Sequence, residues 1–437
     1  MKRINNSVIA LSLFVGIANA NAQEKKTLSL DEAVQLGIQN SKNLKIDAAK
    51  IEEATADLLE AKNRQLPELK VSGSYMYLPI KPNVDIKLPG VSGAGGPEVH
   101  QVLYGSANLS VPIYSGGRIK YGIQSAKYLV EASKLSTEND KIAIAYNVAQ
   151  AYNNLFKANQ SIKVFEENLA ASQKRDETFL KMENNGLIAR NDRLKANLQT
   201  SNIELQLLEA KNNYNIANIN MDLLLGIPEI TELVVDENYI EEGSDVKPVD
   251  FYVTEARENR KDLQALAQQR KAAELGSKAA KAENLPSIAF TGGYVAADIP
   301  KFLTVYNAIN VGIGVSYNLS NLWKENSSLR QSQAREKQLA ATDELLNDNI
   351  KLDVNREYQN TDYSKKRIVV FEKSAEQANE NYRITKNKYD NGLATMTELL
   401  DADAAQIAAN VGVINAKADA ALAYRKLLQT TGTLTIK

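Results

Sequence analysis

The chain carries one unit twice, and that duplication limits its fold more than any other feature. A shift of 219 positions lays Leu66-Pro67 on Leu285-Pro286, Gly73 on Gly292, Tyr75 on Tyr294 and Leu44 on Leu263. A shift of 206 lays Gly186-Leu187 on Gly392-Leu393 and Gly226 on Gly432. The offsets differ by 13, as do the lengths of the 28-residue stretch 76–103 and the 15-residue stretch 295–309. Both stretches are expected to be strand-to-strand loops, where a surface connection tolerates a change of length.

Each copy runs through the same patterns. Ser29 is placed to cap a helix beginning Leu30-Asp31-Glu32-Ala33, and a second helical run from Leu44 stops before Pro67. The period then falls to two: Leu69, Val71, Gly73, Tyr75 and Tyr77 alternate with Glu68, Lys70, Ser72, Ser74 and Met76. Ala107, Leu109, Val111 and Ile113 alternate in the same way with Ser106, Asn108 and Ser110, which predicts two strands with one apolar face each. From Arg118 to Asn184 there is no proline, and Leu155, Ala158, Ile162, Phe165 and Leu169 are spaced as in a coiled coil. Such a helix is roughly 100 Å long at 1.5 Å per residue. After Asn185-Gly186-Leu187 a return helix carries Leu194, Leu198, Ser201, Leu205, Leu208 and Ile219 as its expected seam, until Gly226 and Pro228 stop it.

The second copy repeats this with strand faces Ile288, Phe290, Gly292, Tyr294, Ala296 and Ile313, Val315, Tyr317, Leu319. Its hairpin bends at Asn391-Gly392-Leu393. The inward seam is Ile368, Phe371, Ala375, Ala378, Tyr382, Thr385 and Tyr389; the outward seam is Leu400, Ala404, Ile407, Val411, Ile414, Ala418 and Ala421. The expected division is a signal peptide at 1–22 and a first repeat at 23–230, with a strand pair about 68–114 and a hairpin at 118–226. An acidic link at 231–248 follows, then a second repeat at 249–437 with a strand pair about 287–320 and a hairpin at 324–431.

Composition excludes several functions. A net charge of -1 gives no basic field for nucleic acid, which is not expected as a partner. Without cysteine there are no disulfides, thiolate metal sites, thiol nucleophiles or lipid-bearing N-terminal cysteine, and a single histidine, His100, rules out paired imidazoles. No catalytic set, metal site or cofactor is expected. Lys2 and Arg3, the apolar run from Val8 to Ile17 and the small residues Ala18-Asn19-Ala20-Asn21-Ala22 read as an export signal cleaved after Ala22, with Ala20 as the alternative. The other reading, a membrane anchor, needs about 20 apolar residues.

Four amphipathic strands of about 9–11 residues suit a tilted crossing of an outer membrane, yet four cannot close a barrel. Open edges facing lipid would leave N–H and C=O groups unpaired at several kcal/mol each. Either several chains share one barrel, or the two hairpins of strands pack on helices in a soluble exported protein.

The order and duplication of these pieces resemble the TolC family of outer-membrane efflux proteins. The resemblance rests on LSLDEAVQLGIQNSKNL, VPIYSGGR at Val111 to Arg118, NNGLIARNDRL, YDNGLATMTELLDAD and LLLGIPE, and covers essentially the whole mature chain. The second copy departs from the family at Tyr317-Asn318-Leu319-Ser320, where a Pro-Leu and a glycine pair are usual. The resemblance implies a mainly α fold with a small β part: long antiparallel coiled-coil hairpins forming an α-barrel, and four transmembrane strands per chain in a shared 12-stranded trimeric β-barrel. It implies a homotrimer in the outer membrane, bounded by lipid and extending into the periplasm. There it would dock a membrane-fusion adaptor linked to an inner-membrane pump and serve as the passive exit duct of an efflux or type I secretion system. The strand-to-strand loops would face outside.

The resemblance also implies roles for residues at the turns. Gly186, Leu187, Gly392 and Leu393 match adaptor-docking tips; their other role is helix capping and a hydrophobic staple. Glu398 and Asp401, spaced i, i+3, match an acidic constriction, two rings of three carboxylates in a trimer, which favour cations. The alternative is that carboxylates in a first turn suit the helix dipole. Asp403 is expected on a solvated face. Tyr389 and Asp192 match a gate link, but the arginine of that link is Ala394 here; Arg190 is a possible substitute. Trp323 with Tyr75, Tyr114, Tyr294 and Tyr317 suits an aromatic girdle at the membrane interfaces, or ordinary packing of strand on helix. An exported coiled coil or adaptor-type periplasmic protein without a channel would explain the hairpins but not the recurring strands.

Overall fold

The computed structural model describes residues 25–80, 99–236, 239–240, 246–300 and 303–435. The expected signal peptide, most of the first inter-strand loop and part of the inter-repeat link lie outside them. The first copy comprises β1 (Lys25–Leu28), α1 (Leu30–Asn40), α2 (Lys42–Asn63), β2 (Glu68–Tyr77), β3 (Gln101–Tyr114), α3 (Arg118–Asn184) and α4 (Arg190–Leu225). Then come β4 (Glu232–Val235), α5 (Val249–Asn259), α6 (Lys261–Ala282), β5 (Ser287–Ile299), β6 (Leu303–Ser316), α7 (Ser327–Asp390) and α8 (Met396–Thr431). No helix among the described residues is long and apolar enough to cross a membrane.

The link between the copies holds an element that periodicity does not reveal. β4 pairs parallel with β1, Leu28 opposite Val235, and four residues are too few to show a period. Side chains hold this small sheet in place. The fully buried Tyr152 donates its hydroxyl proton to the Leu28 carbonyl at 2.8 Å and accepts the Asp236 N–H at 2.8 Å. Asn218 donates to the Thr231 carbonyl at 2.7 Å and accepts the Leu233 N–H at 2.9 Å. Around them Leu28, Val148, Leu155, Met221, Leu225 and Leu233 form the largest core.

The other strands form one antiparallel sheet in the order β2-β3-β5-β6. Its register keeps one face apolar across all four strands, as in the row Val71, Ala107, Tyr294, Ile309 and, joining β3, β5 and β6, the row Val111, Phe290, Ile313. The opposite face is polar in the part nearer the helices, as in the row Lys70, Asn108, Gly293, Asn310, and mixed toward the inter-strand loops, where Tyr104, Ala297 and Val305 share a row. On that face the Ser72 and Ser106 hydroxyls share a hydrogen bond of 2.9 Å. Among the described residues, β2 and β6 have no strand partner on their outer sides.

The expected loop at 295–309 is mostly strand. β5 and β6 continue to residues 299 and 303, and a bulge between Val295 and Ala297, with Asn307 at φ 61, interrupts the alternation that sequence reading depends on. β6 also ends at Ser316, before Tyr317 and Leu319. There the chain enters a 3-10 turn, Leu319–Leu322, whose preceding Asn318 side chain accepts the Ser320 N–H. The first copy makes the same junction with Gly116 and Gly117 at φ 65 and 91. The 13-residue offset is therefore a net value. The second inter-strand loop is 20 residues shorter, and the second strand-to-helix junction, 317–326 against 115–117, is 7 longer.

The four long helices lie side by side in the order α4, α3, α8, α7. On α7 the whole predicted seam from Ile368 to Tyr389 is covered, while Val369 and Val370 between its members are exposed. On α4 the prediction is overturned. Leu194, Leu198, Ser201, Leu205, Leu208 and Ile219 stand exposed, and Ala196, Ile203, Leu207, Ala210 and Met221 face α3. α8 begins likewise with Met396, Leu399, Ala402 and Asp403 buried, ahead of the predicted Leu400 and Ala404. A helix can carry two apolar stripes, and the sequence pattern does not say which one its own hairpin uses. α7 has a second, exposed stripe too, at Leu345, Leu352, Tyr363, Val370 and Ile384. Counted from the turn glycines, the stripes match in height: Leu194 and Ile384 are each 8 residues away, and Leu208 and Val370 are each 22.

Candidate functional site at the hairpin tips

The two turns are built alike. Gly186 and Gly392 have φ 70 and 71, and a Cβ on either would meet nothing within 4 Å, so the left-handed backbone alone calls for glycine. The Leu187 N–H donates to the Met182 carbonyl and the Leu393 N–H to the Lys388 carbonyl, both at 2.8 Å, closing the helix ends. The leucine side chains are left out of the packing, 69% and 77% exposed. The expected staple role falls instead to Ile188 and Met396, which join Phe179, Ala196 and Leu399 in an apolar cluster under the tips.

Of the acidic residues, Glu398 is engaged. Thr395 caps α8 by accepting the Glu398 N–H at 3.2 Å, and the Glu398 carboxylate accepts the Thr395 N–H at 2.7 Å and hydroxyl at 2.9 Å. Those bonds, the backbone one first, hold its carboxyl below the usual range. Asp401 lies on the same face, exposed, with no hydrogen bond or ion pair among the described residues. Asp403 is not on a solvated face: it is buried and paired with Arg175 of α3, Nη2 to Oδ2 at 2.6 Å. Sequence reading missed this pair. The available signal was phase, since Met396, Leu399, Asp403 and Ile407 follow one 3-4-4 rhythm of buried positions.

Tyr389 is half-buried, its ring 5.8 Å from Phe179 in an edge-on contact. Burial raises its hydroxyl pKa, and the charges of Asp192 and Asp390 add to the rise. Asp192 thus acts on Tyr389 through space, with no hydrogen bond between them among the described residues. Its own partner is Lys195 at 3.5 Å, which also reaches the Thr397 hydroxyl of the second hairpin at 3.4 Å. Arg190 is exposed and has no ion pair among the described residues, whereas Arg193 pairs with Glu183 across the first turn. Among the described residues no three potential metal-ligating side chains come together.

The chain thus combines a four-stranded sheet, apolar on one face and unpaired at both edges among the described residues, with helical hairpins of 36 to 67 residues per arm. The family model described as outer membrane efflux protein matches residues 33–227 and 252–433, and the chain belongs to that family. It is accordingly an efflux channel of the outer membrane that extends into the periplasm. Solved structures share the fold at low identity. VceC of Vibrio cholerae is 17% identical, with TM-score 0.75, covering 92% of this chain and 96% of that one. CmeC of Campylobacter jejuni is 16% identical, with TM-score 0.75 and coverages of 99% and 94%. The open state of MtrE of Neisseria gonorrhoeae is 17% identical, with TM-score 0.71 and coverages of 93% and 89%. No curated protein sequence matches the chain.

Proposed function

We propose that three copies of this chain form one closed duct, and that its periplasmic tips dock a membrane-fusion adaptor joined to an inner-membrane pump. The observation that carries the reading is the four-stranded sheet with one apolar face and two edges unpaired among the described residues. In lipid those edges must be closed by other strands, and three copies give twelve. The exposed stripes of α4 and α7, at equal heights on the two outer helices, support the same closure by helices of neighbouring copies. The exposed Trp323, Tyr75, Tyr114, Tyr294 and Tyr317 would mark the membrane interfaces.

In this reading Gly186 and Gly392 shape the tips and Leu187 and Leu393 are the contacts offered to the adaptor. Asp401 forms the acidic constriction, with Glu398 beside it as a capped and less available carboxylate. Tyr389 and Asp192 form the gate link, lacking the arginine that Ala394 replaces. The test is the double variant Leu187→Asp with Leu393→Asp. It should abolish export and leave a heat-resistant, detergent-extracted trimer in the outer membrane. Wild-type export by that variant would rule out tip docking, and a monomer released without detergent would rule out the duct.

A further inference from the structure

The two strand-to-helix junctions differ in surface as well as in length. The first copy passes from Tyr114 to Arg118 in three residues, of which two are the glycines at positive φ. The second copy takes residues 317–326 and leaves its apolar side chains uncovered: Tyr317, Leu319 and Trp323 are 42%, 59% and 71% exposed. A cluster of this kind is unfavourable in water and marks a surface that something else covers.

The turn is held at both ends. Where β6 finishes, the Ser287 and Ser316 hydroxyls share a bond of 2.7 Å. Asn318 accepts the Ser320 N–H at 3.1 Å, and the Trp323 and Lys324 N–H groups donate to the Ser320 carbonyl at 3.3 and 3.0 Å. Asn326 caps α7 by accepting the Leu329 N–H at 2.8 Å, while its Nδ2 donates to the Ala280 carbonyl of α6 at 3.2 Å. The exposed side chains therefore stand on an ordered backbone at the helix end of the sheet.

Its surroundings can be read from what adjoins it. On β6 the exposed row Ile309, Val311, Ile313 and Val315 belongs to the apolar face, and Tyr317 and Leu319 follow at the same two-residue spacing, exposed as well. The apolar surface of the sheet thus runs on into the turn. Lys324, beside the tryptophan, is exposed and has no ion pair among the described residues, whereas Glu325 is occupied by Arg330 at 2.7 Å. An indole suits the boundary between acyl chains and headgroups, and an unpaired ammonium suits a phosphate.

We propose that residues 317–326 form a foot in the periplasmic leaflet of the outer membrane, with Leu319 and Trp323 among the upper acyl segments and Lys324 on the phosphate of an anionic phospholipid. This rests on the reading of the sheet as part of a membrane barrel whose helix end is periplasmic. The foot belongs to the second copy alone, so a trimer carries three at one height. Three contacts define a plane, and they fix the depth and oppose the tilt of the barrel in the bilayer.

Trp323 is the only tryptophan in the sequence, so its fluorescence reports on the foot alone. The experiment reconstitutes the purified protein in vesicles of equal parts phosphatidylethanolamine and phosphatidylglycerol, brominated either high on the acyl chains or at their ends. Emission should fall at least twofold with the shallow bromines and less with the deep ones. Bromine confined to phosphatidylglycerol should quench more than bromine confined to phosphatidylethanolamine, and Lys324→Glu should abolish that preference. An inserted trimer whose Trp323 neither bromine quenches overturns the foot. If that emission is blue-shifted and turns red on dissociation of the trimer, a neighbouring copy covers the turn instead. Equal quenching by the two lipids in the wild type overturns the phosphate contact of Lys324. A protein that does not enter vesicles as a trimer overturns the barrel reading on which the foot rests.

Discussion

Gly392→Ala isolates the contribution of one backbone conformation to the tip. The residue has φ 71, and a Cβ there meets nothing within 4 Å, so no steric clash is added. What remains is the cost of an L-residue in the left-handed region, about 1–2 kcal/mol, because Cβ crowds the following carbonyl oxygen. Alanine also restricts the unfolded chain, which offsets part of it and leaves about 1 kcal/mol. That is roughly a fivefold larger opening equilibrium for the tip, with RT near 0.59 kcal/mol. The assay is hydrogen exchange at the Leu393 amide, which is held on the Lys388 carbonyl at 2.8 Å. It should exchange roughly fivefold faster, with the Leu187 amide of the other tip unchanged. Gly116→Ala is the contrast: φ 65 carries the same conformational cost, but its Cβ would lie 2.8 Å from Leu285 Cβ and 2.9 Å from the Ala282 carbonyl oxygen. The junction of β3 and α3 must then shift, and barrel assembly should suffer while tip exchange does not. Unchanged Leu393 exchange in Gly392→Ala, or equal tolerance of both substitutions, would refute the reasoning.

Burial first, and then Glu229, raise the carboxyl of Asp222 from 3.8 to about 6. The folded chain therefore keeps a proton that the unfolded chain has released, so the site's stability is greatest below pH 3.8 and is lost as pH rises through 6. Asp222→Asn should remove that loss, raising apparent Tm at pH 7.5 by the equivalent of at most about 3 kcal/mol, with no gain below pH 4. Tyr152→Phe removes both hydrogen bonds that hold β1 and the end of β4, Leu28 carbonyl and Asp236 N–H, and should cost about 2–4 kcal/mol in thermal unfolding.

How far the fold can be read from the sequence depends on how many neighbours an element has. The α7 seam at Ile368, Phe371, Ala375, Ala378, Tyr382, Thr385 and Tyr389 was legible because it keeps an unbroken three-four spacing, whereas the second stripe has gaps such as that from Val370 to Ile384. On α4 the clearest row, Leu198, Leu205 and Leu208, is the outward one, because alanines and an asparagine dilute the buried row. β5 and β6 were cut short where a bulge changes the phase, and β1 and β4 were too brief to have one. At the tips the glycines were readable, since a left-handed turn leaves few alternatives. The partner of Asp403 was not, because Arg175 is 228 positions away, although the phase of Asp403 with Leu399 and Ile407 marks it as buried.

Three kinds of exposed apolar surface stand out among the described residues, and each calls for a different neighbour. A face continuous over four strands suits lipid, and matched stripes on two edge helices suit copies of the chain. The leucines at the tips are single residues in polar surroundings. Burying one leucine is worth about 1.5–3 kcal/mol, too little to hold a partner at cellular concentrations. On the proposed reading a trimer presents six of them at fixed spacing, and after the first contact the others bind intramolecularly. Adaptor affinity should then belong to the assembly and not to the chain. Charged substitutions in the α4 stripe, such as Leu208→Glu, should yield monomers whose tips are intact yet whose adaptor binding falls by at least a hundredfold in surface-capture measurements. Monomers that bind as tightly as trimers would show that a tip needs no companions.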